Sequence, residues 1–217
     1  MKTIIQIVLW IACIGLGYLI YNSVTGPIEF KKVKVERFGK VVAKLKDIRN
    51  SQEAYKTVNG NYAKDFNSLI KFIDTGNYVI TQQRDSSFME FDQAYQIDML
   101  KEVKIIDTLG FVSVKDSLFK KDTRYKSLMD IPGAPNGEKV SMDAGFVEKS
   151  GYRAPVFEAK VDKSILLYDQ PKDLLSRENA QMSVEEVNGS AITVGSMNEV
   201  STSGNWPPIY DKKEKKQ

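Results

Sequence analysis

An apolar run at positions 4–21, IIQIVLWIACIGLGYLIY, constrains this chain more than any other feature. No charged residue lies between Lys2 and Glu29. Because about 20 helical residues of this kind cross the hydrocarbon core of a bilayer, the run predicts a transmembrane helix. The residues that we expect to anchor the chain in the membrane are Ile4, Leu9, Trp10, Leu16, Tyr18 and Tyr21.

Other origins of this run are a cleaved signal peptide, a lipoprotein signal and the core helix of a soluble domain. A signal peptide has an apolar region of roughly 7–15 residues and a small-residue cleavage site, whereas this run is longer and no such site follows it. A lipoprotein would carry its lipid on Cys13, yet the chain stays apolar beyond that residue. A soluble helix needs a polar face, and this run has none. We therefore predict an uncleaved signal-anchor.

The orientation of the anchor depends on the charges around it. Counted literally, the cations after the span place the C-terminal domain in the cytoplasm, since only Lys2 and the α-amine precede it. The cations in question are Lys31, Lys32, Lys34, Arg37 and Lys40. The short N-terminal tail with one lysine and the uncharged residues 22–27 favour the opposite orientation. We predict a single-pass protein of the bacterial inner membrane with a periplasmic C-terminal domain.

Composition excludes several classes of function. The net charge of +3 is small and both signs are mixed, unlike a nucleic-acid-binding protein with a basic face. The chain has no histidine, which excludes Ser-His-Asp and Cys-His catalysis and the usual zinc sites. Paired carboxylates or a Ser-Lys pair would still allow an enzyme. The carboxylates Asp162, Asp169, Glu185 and Glu186 could bind a cation, but surface charge explains them more simply. We predict no enzymatic activity, cofactor or metal.

A long amphipathic helix is predicted after Pro27. Its apolar positions recur at steps of three and four residues, which is the helical period. They are Phe38, Val41, Leu45, Ile48 and Tyr55, with Gln52 filling the gap in the series. Asn59 and Gly60 should end the helix. The stripe either packs on its own domain or pairs with a partner helix. We predict that Leu45, Ile48 and Tyr55 are core, and that Phe38 and Val41, nearer the membrane, form an interface.

The remainder of the chain predicts a short helix followed by strands. The helix should begin at Asp65 as N-cap and close at Gly76. A loop is expected at 84–87, a helix or irregular segment at 88–100, and a short helix opened by Pro171 and running through Leu175. The predicted strands are 78–81, 103–108 and 111–114 (a hairpin around Leu109 and Gly110), 139–142, 145–149, 156–162 and 191–195. The aromatic residues predicted to lie in the core are Phe88, Phe91, Tyr95, Phe111 and Phe119.

This order of elements predicts an α+β fold, in which an N-terminal transmembrane helix continues into a long amphipathic helix packed on an antiparallel β-sheet. Residues 1–26 form the anchor, 27–210 the α+β domain and 211–217 a disordered charged tail. Trp206, before two prolines, is a candidate docking residue; packing onto its own domain is the alternative.

The stretch AYKTVNGNYA at 54–63, with Leu69 downstream, resembles the segment after the long helix of type IV pilin-like proteins and type II secretion pseudopilins. The resemblance implies a membrane helix that runs into an amphipathic helix and then a small antiparallel sheet. The chain departs from the family where a basic leader, a processing site and an early glutamate are expected; Gln6 lies in the span instead. A pilin-like fold that stays in the membrane fits these residues better than a processed pilin.

Two functions from different classes follow. The first is a membrane-anchored structural or scaffold component of a bacterial envelope assembly, such as secretion or pilus-like machinery. It would contact other envelope proteins through the amphipathic helix and form homo- or hetero-oligomers. The second is a membrane-anchored ligand-binding or carboxylate-based enzymatic domain. A deep pocket with convergent carboxylates would favour the second, and an open apolar surface the first.

Overall fold

The computed structural model describes residues 2–92, 97–149 and 151–211, and it confirms the α+β class. The helices are α1 (Lys2–Asn59), α2 (Phe66–Thr75), α3 (Val114–Leu118), α4 (Lys163–Leu166) and α5 (Lys172–Ala180). The strands are β1 (Asn77–Asp92), β2 (Ile97–Ser113), β3 (Ser141–Lys149), β4 (Tyr152–Asp162) and β5 (Ala191–Gly195). Two 3-10 turns lie at Arg124–Ser127 and Pro208–Asp211.

Helix α1 runs without interruption from the apolar run into the domain and includes Pro27. Its apolar N-terminal part is exposed, and burial on one stripe begins at Phe30. The helix ends where predicted. Gly60 takes the left-handed conformation with φ of 78°, and its N–H donates to the carbonyl of Lys56 at 2.8 Å. A residue with a Cβ adopts this conformation only at a cost, so Gly60 provides the stop.

Gln52 explains the polar gap in the buried stripe. Its side chain is fully buried and its amide pairs with the backbone of Ala63. Nε2 donates to the Ala63 carbonyl and Oε1 accepts from the Ala63 N–H, both at 2.9 Å. Because buried polar groups need partners, this pair satisfies the glutamine and fixes the chain as it leaves α1.

The predicted cap of α2 is confirmed. Asp65 Oδ1 accepts from the Ser68 N–H at 2.8 Å. Gly76 closes the helix, with an extended backbone rather than a left-handed one. A Cβ at Gly76 would lie 2.6 Å from the Phe72 carbonyl oxygen, so close packing is what requires a glycine here.

Strands β3, β4 and β5 form an antiparallel sheet in that order, and α1 contacts β4 and β5. The predicted strands at 139–142 and 145–149 form one strand, β3, which begins at Ser141. Strand β4 begins four residues before the predicted start at 156, and β5 lies where expected. Leu45 and Ile48 of α1 share one core with Phe157, Ile192 and Val194 of the sheet. The core therefore lies between the C-terminal half of α1 and this sheet.

Strands β1 and β2 form a second, two-stranded sheet, and here three predictions were wrong. The expected loop at 84–87 belongs to β1, the segment 88–100 is strand wherever it is described, and residues 103–113 continue straight through Gly110. The pairing passes from Thr81↔Thr108 to Ile80↔Gly110, so Leu109 is a bulge residue rather than part of a turn. The polar residues 82–87 are held in a strand by their pairing with residues 102–107 of β2, which alternate only in part between apolar and charged side chains.

The predicted aromatic core is correct only in part. Phe119 is buried and packs near Tyr125. Phe88, Phe91 and Phe111 are exposed, Phe111 to 70%, because they lie on the two-stranded sheet rather than between α1 and the other sheet. Tyr95 lies outside the described residues.

The prediction of a disordered tail at 211–217 was wrong at its first residue. Asp211 belongs to the last 3-10 turn, and its carboxylate lies 2.8 Å from Lys46 Nζ on α1. Residues 212–217 of that prediction lie outside the described part of the chain.

Candidate interaction surface

Phe38 and Val41 do not form an open surface. Their exposed fractions are 0% and 1%, so the prediction that they are uncovered was wrong. The C-terminal segments fold back along α1 and cover it. Lys163 Nζ of α4 lies 5.9 Å from the Phe38 ring, and Arg37 donates to the Leu166 carbonyl at 2.6 Å. Leu45 and Ile48 are fully buried and Tyr55 packs against the core, as predicted.

Trp206 is half-buried and packs against the core. Its Nε1 donates to Asp211 Oδ1 at 3.3 Å, and its ring lies against Gly204 so closely that a Cβ there would clash. This is the packing that the sequence offered as the alternative to docking. Trp206 therefore takes part in holding the C-terminal segment on the domain.

The predicted anchor residues lie along the first part of α1. Its apolar window has a mean hydropathy of 2.2, is not buried at all, and makes α1 long and apolar enough to cross a membrane. The exposed members are Ile4, Leu9, Trp10, Leu16, Tyr18 and Tyr21. An apolar segment with no covering in its own chain needs an apolar environment, as a bilayer provides.

A buried ionic cluster secures α1 to the C-terminal half of the domain. Lys34 Nζ donates to Glu178 Oε2 at 2.8 Å and to Glu186 Oε2 at 2.7 Å. Lys163 Nζ donates to Glu178 Oε1 at 3.0 Å and to the Val187 carbonyl at 2.7 Å. Glu178 therefore joins two lysines, and the cluster links α1, α4, α5 and the segment before β5.

The electrostatics of this cluster favour charged lysine. Burial alone lowers the pKa of Lys34, but hydrogen bonds and charges from Glu178 and Glu186 outweigh it, so the pKa lies above its ordinary value. Burial, with the charges of Glu186 and Glu178, raises the pKa of the neighbouring Tyr210 to about 12. Composition gave no sign of this cluster. Periodicity could have, because Lys34 lies four residues before Phe38 on the buried stripe.

Strands β1 and β2 form an exposed ribbon outside this core. Its base is tied to the domain where the Val114 N–H donates to the Gly76 carbonyl at 3.0 Å, and where β2 leads into α3. Large apolar side chains are exposed on both faces of the ribbon. They are Val79, Ile80, Phe88, Met89, Phe91, Ile97, Met99, Leu100, Val103, Ile106, Leu109, Phe111 and Val112.

Both outer edges of the ribbon are unpaired along the described strands, since its sheet has two members. An unpaired edge presents a row of backbone donors and acceptors that another strand can bind. A two-stranded hairpin is marginally stable in water, whereas three or more strands are stable. The ribbon is therefore the surface in the described chain that most needs a partner.

The same ribbon carries a shallow depression of about 190 Å³ lined by Asp85, Ser86, Ser87 and Glu102. Its openness to solvent does not match a catalytic cleft, which buries most of its ligand. Among residues 2–92, 97–149 and 151–211, no three carboxylates or thiols come together as a metal site would require. Asp169, a candidate cation ligand from the sequence, instead binds Arg37 through both oxygens at 2.7 and 2.8 Å.

Neither a known protein family, nor a curated protein, nor a solved structure matches this chain.

Proposed function

We propose that this protein is a single-pass membrane-anchored structural or scaffold component of a bacterial envelope assembly. The observation that supports it is the apolar, unpaired ribbon on a domain that one continuous helix joins to an apolar span. Large exposed apolar patches on a protein surface mark sites of interaction. The interaction surface is thus the ribbon, rather than the amphipathic helix that the sequence indicated. The relationship to pilin-like proteins stays a prediction.

The proposed location is the inner membrane, with the domain in the periplasm. The literal charge count argues against this orientation, but two of the five cations have structural roles in the folded domain. Lys34 binds Glu178 and Glu186, and Arg37 binds Asp169. Their presence therefore has an explanation other than topology. A phosphatase fused after Gln217 should be active, and a cytoplasmic fluorophore fused there should be dark; the reverse pattern would refute the exported domain.

The scaffold role is tested by recovering partners from crosslinked membranes. Phe111→Lys places a charge on the exposed ribbon, and we expect it to remove envelope proteins that co-purify with the wild type. The matched control is Val184→Lys, which changes an apolar residue that is 90% exposed and lies off the ribbon. Identical recovery from both variants, or recovery of no envelope protein from the wild type, would contradict the proposal.

A further inference from the structure

The edge of β2 is the better pairing edge of the ribbon. Its middle contains the β-branched residues Val103, Ile105 and Ile106, which favour strands. The middle of β1, residues 82–87, reads QQRDSS and has low strand propensity. The run of β2 from Ile97 to the bulge residue Leu109 contains no proline, so each of the alternate residues whose N–H points away from β1 can donate to a new strand.

We propose that this edge pairs antiparallel with the β2 edge of a second copy, with Val103 opposite Val103. This pairing rests on the proposed function, and it names a second copy of the chain as one partner of the ribbon. The result is a four-stranded sheet shared by two membrane-anchored chains.

Symmetry limits the registers that such a pair can adopt. The two-fold axis that relates two identical antiparallel strands is perpendicular to the sheet. A residue and its copy in the second strand therefore lie on the same face of the sheet. Residues that lie opposite each other share a face. The axis must therefore pass through a residue pair and not between two pairs. Moving the axis from one residue to the next slides the two strands past each other by two residues, and every charged residue then lies opposite a different partner.

The charges on β2 select among the possible centres, where the centre is the residue that lies opposite its own copy. Pairing centred on Lys101, Glu102, Lys104 or Asp107 places a residue against its own copy, with like charges in contact. Centres at Ile105 and Ile106 bring no charges together. A centre at Val103 places Glu102 opposite Lys104 twice, opposes no like charges, and sets Leu100 against Ile106 twice. Opposite charges directly across a strand pair stabilise it, and like charges destabilise it.

The extent of this pairing is sufficient for a specific contact. From Ile97 to Leu109 each residue has a counterpart, because position 97 lies opposite 109 when 103 is the centre. An antiparallel pair of this length closes about a dozen backbone hydrogen bonds. The bulge at Leu109 ends the regular run at the point where the pairing also ends.

The test uses the full chain in detergent, with Cys13→Ser so that an introduced cysteine is the single thiol. Val103→Cys should form a disulfide-linked dimer under mild oxidation. Ile105→Cys is the matched control, because it would face Lys101 and lie four residues from its own copy. Crosslinking at Val103 alone supports the register. Equal crosslinking at both positions, or at neither with a monomeric mass, overturns it.

A charge test follows the same pairing without cysteines. Glu102→Lys would face Lys104 on both sides of the two-fold axis, so the dimer dissociation constant should rise about tenfold. Asp98→Lys makes the same change on the same strand but faces Thr108, and should leave the constant nearly unchanged. Equal effects overturn the register. If the protein is monomeric while Phe111→Lys still loses envelope partners, the self-pairing fails and the scaffold role stands.

Discussion

Lys163 is a fully buried cation whose partners are all internal. Its ammonium group has Glu178 Oε1 and the carbonyls of Glu178 and Val187 as acceptors. A buried charge is tolerated only when it is paired and hydrogen-bonded, so each contact is needed. The residue joins α4, α5 and the chain before β5, which are the segments that cover the membrane-proximal part of the domain.

Lys163→Met should therefore lower the free energy of unfolding by about 3 kcal/mol, because it leaves buried acceptors without a donor. Lys160→Met, on an exposed position of β4, is the matched control and should change stability by less than about 0.5 kcal/mol. Denaturant unfolding of the detergent-solubilised chain measures both. A loss no larger than that of the control would mean that the cluster does not stabilise the fold.

The Arg37–Asp169 pair predicts a pH dependence of stability. The two hydrogen bonds from Arg37 lower the pKa of Asp169 to about 2, from an ordinary 3.8. A carboxyl group with a depressed pKa stabilises the folded state above its unfolded pKa, and that contribution is lost as pH falls through the folded value. The stabilisation should thus be constant above about pH 5 and disappear between about pH 4 and pH 2.

Asp169→Asn checks this, since asparagine has no charge to lose. The difference in melting temperature between wild type and variant should be present at pH 7 and close to zero at pH 2. The pair is partly exposed, so we expect a small effect that salt weakens. A difference that persists unchanged at pH 2 would exclude the ion pair as its cause.

Among the elements, the covered part of α1 extends further toward the N-terminus than its sequence indicates. The helical period correctly identified the buried stripe, because periodicity shows which face of the helix is apolar. It does not show how far along the helix other segments of the chain cover that face. That depends on α4 and α5, more than 120 residues later in the chain, folding back over Phe38 through contacts such as Lys34 with Glu178.

Phe38→Ala should consequently cost about 3–5 kcal/mol of unfolding free energy, the usual loss for a fully buried aromatic side chain. Val35→Ala, three residues earlier on the same helix and 38% exposed, is the control and should cost much less. Thermal melts of the two variants decide between core and surface. A Phe38→Ala variant as stable as the control would restore the interface that the sequence predicted.

The sequence predicted the helical half and the last strands well, because caps and alternation are local signals. Asp65, Gly60 and the strand Ala191–Gly195 all lie where local chemistry places them. The ribbon was not predictable in the same way. Residues 82–87 form a strand only through partners about 20 residues away, and Leu109 with Gly110 resembles a turn while forming a bulge. The candidate surface was missed for that reason.

For the whole molecule, the uninterrupted α1 couples the exposed apolar segment to the domain. A helix of 58 residues is about 87 Å long at 1.5 Å per residue, of which the apolar run accounts for about 27 Å. The buried stripe from Phe30 onward, with the ion pairs of Lys34, fixes the domain onto the same helix. The ribbon is joined to this domain at its base, where the Val114 N–H donates to the Gly76 carbonyl.

The exposed apolar segment of α1 predicts that the protein stays with the membrane. Membrane pellets washed at alkaline pH and high salt should retain the protein, and peptides covering residues 4–21 should be recovered from it.

Ile11→Arg combined with Ile14→Arg places two charges near the middle of the span, at a cost of about 2.5–3.5 kcal/mol each, and should move much of the protein out of the pellet. Ile28→Arg, equally exposed on the same helix but beyond Pro27, should leave it there. Loss of the wild type from the washed pellet, or a mature N-terminus at Cys13 or after Ser23, would refute an uncleaved anchor.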